Sequence, residues 1–329
     1  MQTTPTYPGQ GQKAGAGRRW RWQGPLAAAG AYALWGILPA YWKLMEGFSD
    51  LEVLAHRLLW AAVLLLLICL LVQRSVMAGL FQNRRALLIL LAAGLMNTFN
   101  WGLFIYAITS DHILQTSIGY FTNPLMSILL GMLIFKERLT PLQKAATVLA
   151  AVGLIYFTID YGSFPWISLA LAGSFALYGA FKKIGGYPAL PALAVETTLV
   201  VPLALAYVAI SFFLPGRAFL GAGTHGLIGA AGWLSTLLLV GGGAVTLVPL
   251  LLFGKAVNSV PLSWMGFFQY ISPTLSLIIG TFVYHEAFTQ AHAVCFGCIW
   301  AGLLLIAIEA LLTARRRKRE GGAAPTPPR

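Results

Sequence analysis

Apolar runs long enough to cross a bilayer follow one another along this chain with barely a pause. A membrane-crossing helix needs roughly 20 mostly apolar residues, because backbone polar groups find no water to bond in hydrocarbon. The pattern predicts ten such helices, near 25–44, 52–72, 86–109, 113–135, 141–159, 165–181, 191–213, 232–253, 262–284 and 290–312. Continuous apolar runs of this length exclude a membrane β-barrel, whose strands alternate. The loops are mostly short and leave no room for an extramembrane domain.

Composition points the same way. With 58% hydrophobic and 10% charged residues in 329, the chain has too little polar surface to cover a soluble globule. The net charge of +12 would suit nucleic acid, but its distribution argues against that. Lys13, Arg18, Arg19 and Arg21 precede the first span, Arg74, Arg84 and Arg85 follow the second, and Lys136, Arg138 and Lys144 surround the turn after the fourth. Lys182, Lys183, Lys255 and the run from Arg315 to Arg319 continue the alternation, so the positive-inside rule puts both termini in the cytoplasm. The basic run reads as an anchor at anionic lipid. Residues 1–24, rich in Gly, Pro, Gln and Thr, are expected to be a disordered basic cytoplasmic segment, and 313–329 a basic cytoplasmic tail. Ala31-Tyr32-Ala33 lies near the start of the first apolar run rather than beyond it, so no signal cleavage is expected. Cys69, Cys295 and Cys298 fall within spans, where packing is favoured over metal or redox chemistry.

The chain also matches itself. A shift of 149 residues places Pro124 on Pro273, Ser127 on Ser276, Gly131 on Gly280, Glu137 on Glu286, Thr140 on Thr289 and Gly153 on Gly302. A shift of 143 aligns Gly30, Ala33 and Gly36 with Gly173, Ala176 and Gly179. Each half, 25–160 and 161–312, then holds five spans, and an odd number makes the second half enter from the opposite side: an inverted repeat. Thr140 and Pro141 form a helix start, and Glu137 reads as a carboxylate serving the helix that begins there, with Glu286 its counterpart.

The segments LEVLAHRLLW (51–60), NWGLFIYAIT (100–109), GYFTNPLMSILLG (119–131), KERLTPLQ (136–143) and GFFQYISPTL (266–275) resemble the RarD group of EamA-domain permeases, in the drug/metabolite transporter superfamily. The resemblance runs from about 25 to 312 and implies an all-α integral membrane protein: ten transmembrane helices as two inverted five-helix EamA-type repeats in a bacterial inner membrane. It implies a nominal link to chloramphenicol. His285, before Glu286, departs from the pattern locally.

Polar groups in hydrocarbon cost several kcal/mol unless paired or facing a cavity. In the second span Glu52 and His56 lie four apart on one face, and Arg57 follows, too deep to snorkel easily, so it should reach a carboxylate, a carbonyl or an anionic substrate group. Glu196 holds the corresponding position in the seventh span, near the cytoplasmic side. Asn97, Asn100 and Trp101 share an arc of the third span; Tyr120 and Asn123 share one of the fourth, with Gln269 matching Tyr120 in the repeat. Tyr32 and Trp35 form an aromatic stripe with Tyr178 as partial counterpart, while Trp42 reads as an interfacial belt residue. Each set suits either a cavity or plain helix packing. Gly241, Gly242 and Gly243 read as tight packing.

The leading expectation is a secondary-active or facilitative transporter, running outward, of a small amphipathic or aromatic metabolite or drug, with protons as coupling candidate and the bilayer and substrate as partners. Neither cofactor nor metal is expected. No Gly-x-x-x-x-Gly-Lys-Ser/Thr loop is present to bind ATP. The rivals are an intramembrane enzyme using Glu52 and His56 as an acid/base pair, and a non-transporting scaffold.

Overall fold

A computed structural model describes residues 20–45, 50–109, 113–162, 164–213, 233–283 and 289–319. The expectations for Glu286, His285 and the 214–231 loop lie outside them. The described residues form α1 (Trp20–Lys43), α2 (Asp50–Val72), α3 (Arg74–Gln82), α4 (Arg84–Thr109), α5 (Ile113–Phe135), α6 (Pro141–Tyr161), α7 (Trp166–Gly185), α8 (Ala189–Phe213), α9 (Trp233–Val257), α10 (Leu262–Gln269), α11 (Ile271–Phe282) and α12 (Gln290–Arg319). Nine helical stretches among these residues are long and apolar enough to cross a membrane, α10 and α11 together making one. The protein is therefore all-helical and multi-pass. α1, 24 residues long, is not one of the nine, because Trp, Tyr, Gly and Pro dilute its aliphatic content. It begins at Trp20, within the segment expected to be disordered.

Two local features depart from the expected pattern. The connection between the second and third spans folds into α3, whose Met77 and Leu80 are buried in the same cluster as Leu65, Leu90 and Leu193. The ninth span is broken at Tyr270, whose N–H turns to the Phe267 carbonyl at 3.4 Å and towards that of Phe268. Pro273 has no N–H for the Gln269 carbonyl, which explains the break. α5 nevertheless runs unbroken through Pro124.

Helix association in lipid gains nothing from burying apolar surface, so it depends on close packing and small residues. α6 packs on α12, α7 lies against α4 and α5, α1 against α9 and α11, and α2 between α8 and α9. A Cβ on Gly153 of α6 would lie 3.1 Å from the Cys295 carbonyl oxygen and 2.9 Å from the Cys298 Cβ, so the CxxC pair of α12 is packing, as expected. A Cβ on Gly302 would meet the Ala146 carbonyl oxygen at 3.0 Å. In α9, Gly243 faces the backbone of α2: a Cβ there would come within 2.7 Å of Ala61 N. The helix is continuous through all three glycines, which agrees with tight packing rather than unwinding.

Glu137 corrects an expectation. The start of α6 is satisfied locally, by the Thr140 side chain and by Gln143 bonding back. Glu137 serves α10 instead, accepting from Leu262 N–H at 2.7 Å, Ser263 N–H at 2.8 Å and the Ser263 hydroxyl at 2.7 Å. Lys183 of α7 completes the site at 2.9 Å and also donates to the Val260 carbonyl. An anion is favourable at those orphan N–H groups, whichever segment supplies it. Burial pushes the Glu137 carboxyl up, but these hydrogen bonds outweigh it and hold the group below the usual carboxylate range.

Adding a methyl at Gly243 is expected to lower the thermal stability of the detergent-solubilised protein by about 1–3 kcal/mol. Gly173→Ala, where nothing lies within 4 Å of the new Cβ, should be neutral or mildly stabilising. Equal effects at the two sites would contradict the packing account. Because the Glu137 pKa is depressed, its stabilising contribution is present above the ordinary carboxylate range and lost as pH falls through the depressed value. Glu137→Gln should thus cost about 2 kcal/mol at neutral pH, with the gap to wild type closing in acid; a pH-independent gap in thermal denaturation would refute this.

Candidate functional site

Three helices bring the candidate chemistry together. α2 supplies Arg57, α4 supplies Asn97 and Trp101, and α8 supplies Glu196, all four lining one cavity of about 30 Å³ with Thr197 and Thr246. A second cavity of about 160 Å³ shares Arg57, Leu58, Asn97 and Trp101 as its wall and is otherwise closed by Leu51, Leu54, Ala55, Thr98, Leu203, Ala204 and Tyr207. The smaller space suits water; the larger one fits a small metabolite and lies below the roughly 300–1,000 Å³ of drug-sized pockets.

Arg57 stands at the divide. It is 7% exposed, with its guanidinium carbon 3.6 Å from the centroid of the Trp101 ring and 5.8 Å from that of Trp42. No carboxylate among the described residues forms an ion pair with it. A desolvated cation–π contact contributes about 2 kcal/mol, whereas burying an ion costs several, so the indoles offset only part of the penalty. Trp42, expected to be an interfacial belt residue, is instead part of this aromatic surround. Tyr120 lies within electrostatic reach of Arg57 and its ring meets Phe104 at 5.9 Å. It is 43% exposed.

Glu196 is committed elsewhere. Its Oε2 accepts from Lys182 Nζ at 2.6 Å, both side chains being buried, and the Tyr178 hydroxyl adjoins the same carboxylate without a well-aligned hydrogen bond. Glu196 Oε1 has no hydrogen-bond partner among the described residues. Lys182, read from sequence only as a topology charge, was the missed member; its signal was a lysine inside an apolar run, near a buried glutamate that needed a partner.

The other expected residues divide. Glu52 and His56 are buried and engaged, and neither lines the two cavities that Arg57 borders. Asn100 donates to the Leu171 carbonyl at 2.7 Å and to Ser174 Oγ at 2.9 Å, tying α4 to α7. Gln269 accepts from the Ser127 hydroxyl at 3.2 Å, joining α10 to α5 beside the helix break. Asn123 is buried, with an Oδ1 lacking a partner among the described residues. Tyr32, Trp35 and Tyr178 join Phe253 in an aromatic core, Tyr178 stacked on Phe253 at 5.5 Å. Among the described residues no three His, Cys, Asp or Glu side chains group to hold a metal ion.

Residues 22–159 match the EamA-like transporter family. A protein RarD of Streptomyces exfoliatus is 39% identical over 92% of this chain and 94% of its own. The uncharacterized transporter YojE of Bacillus subtilis is 37% identical over 90% and 97%. In fold, a solved crystal structure covers 88% of this chain at a TM-score of 0.67 and 16% identity, with 99% of its own chain matched. With such relatives aligned along nearly its whole length, the chain belongs to the EamA-like transporter family, within its RarD group of permeases.

Proposed function

We propose that the protein is a secondary-active or facilitative carrier that moves a small amphipathic or aromatic metabolite or drug outward across a bacterial inner membrane. The observation that carries this reading is the cavity between α2, α4 and α8, whose described lining residues are mostly apolar, with the Trp101 indole and one cation, Arg57. An intramembrane enzyme is the weaker reading, since Glu52 and His56 lie off that cavity.

Ten spans, counting α1, and cytoplasmic termini are part of the proposal, as are inverted repeats. The packing supports the repeat. Under the shift of 149, Gly153 against Cys295 becomes Gly302 against Ala146, and both contacts are made. The pair α7 on α5 corresponds to α1 on α11, and α7 on α4 to α1 on α9. Alternating access follows from such symmetry, one half rocking on the other. Proton coupling through Glu52 and His56 belongs to the same proposal, histidine being the side chain type most used as a proton carrier.

Reporter fusions at Arg329 and in the 214–231 loop should lie on opposite sides of the membrane; agreement between them would contradict the topology. Cells overexpressing the protein should hold less, and their medium more, of at least one small aromatic or amphipathic compound than deletion cells, with chloramphenicol included in the comparison. Trp101→Ala should abolish the difference, and Glu52→Gln should remove its dependence on external pH. No compound differing between the strains would count against a carrier, and unchanged pH dependence in Glu52→Gln would leave that cluster structural.

A further inference from the structure

We infer that the carried compound is a small monoanion, a carboxylate with an apolar body, whose charged end is taken by Arg57 and whose body fills the larger cavity. The inference rests on the carrier reading and names its substrate class.

Among the described residues, those lining that cavity include one cation and no carboxylate. A cationic or zwitterionic compound would bring an ammonium beside Arg57 with no carboxylate among the described lining residues to balance it, whereas an anion meets the deficit that Trp101 and Trp42 leave at Arg57. The neighbouring carboxylate does not fill the role, because Glu196, which lines only the smaller cavity, is bound to Lys182 at 2.6 Å. Guanidinium presents its donors in a planar fork at the ring edge, and the Trp101 ring lies against its face. Stacking therefore leaves the edge available for two parallel bonds to a carboxylate. The Asn97 side chain stands on the same shared wall, where its amide NH2 is a donor for the same carboxylate. Leu51, Leu54, Leu203 and Ala204 supply only apolar surface to the rest, and a doubly charged phosphate would lose far more hydration there than a monocarboxylate.

The test uses the full chain, purified and reconstituted in liposomes. The probes are acetate, isovalerate, phenylacetate and indole-3-acetate, with phenylacetamide, phenylethylamine and phenylalanine as neutral, cationic and zwitterionic controls. Binding is read by tryptophan fluorescence and movement by counterflow. Phenylacetate or indole-3-acetate should bind saturably, at least tenfold tighter than phenylacetamide, and Arg57→Gln should erase that preference while Arg57→Lys restores part of it. Leu203→Trp, which fills the cavity without touching the charge, should exclude the aromatic acids before acetate, and it keeps the test decisive if Arg57→Gln does not fold. No carboxylate binding by the wild type overturns the inference. So does a folded Arg57→Gln with unchanged preference, or equal affinity for acid and amide. Binding that follows Arg57 without counterflow of any probe would leave the anion site standing and remove the carrier reading. Counterflow of neutral compounds alone would do the reverse.

Discussion

A guanidinium held among apolar helices, face against an indole and with no ion-paired carboxylate among the described residues, is the constraint to which the rest of this bundle answers. Burying an ion costs several kcal/mol, and a cation–π contact returns about 2. The remainder is tolerable only where the charge borders space that water or an anion enters, which is where Arg57 stands, between cavities of about 30 and 160 Å³. Its position fixes those of others: Trp42 on α1, Trp101 on α4 and Tyr120 on α5 converge on it from three further helices. A second buried cation, Lys182, is neutralised within the protein by Glu196, so it ties helices together, whereas Arg57 faces the cavities.

Cohesion elsewhere comes from backbone approach and capping rather than from charge. Gly153, Gly243 and Gly302 let α6, α9 and α12 come within backbone distance of their partners, rigid seams in a medium that gives no hydrophobic drive for association. Glu137 gathers the ends of three segments, the α5–α6 turn, Lys183 and the start of α10, into one polar knot. Against these fixed seams stands the interruption at Tyr270, beside the Ser127–Gln269 bond. A broken helix next to a polar contact supplies a natural place for a bundle to flex.

Much of this was legible in the residues, for physical reasons. Helices were readable because backbone groups in lipid leave no other choice, and Arg57, Asn97, Trp101 and Glu196 were readable because polar groups in hydrocarbon demand partners. The α6 start was readable because Thr140 and Gln143 act within one turn. What failed depended on contacts far apart in the chain. Glu137 caps a helix that begins at Leu262, Trp42 turns inward to Arg57, and Asn100 is used by α7. Helical spacing gives the face of a residue but not the neighbour it meets. Glu52 and His56 adjoin Arg57 along α2, and spacing alone does not say which cavity they meet. The status of α1 escaped a hydropathy criterion because aromatic residues score low even when, like Tyr32, they are buried.

The account turns on what occupies the edge of the Arg57 guanidinium. A structure determined by electron microscopy in lipid nanodiscs, with indole-3-acetate present, examines it directly. The account predicts a carboxylate in the fork of Arg57, at about 2.7–2.9 Å, with the indole between Leu54, Leu203 and Tyr207. Arg57 found paired to a resident carboxylate, with the acid absent from that cavity or bound elsewhere, would contradict it.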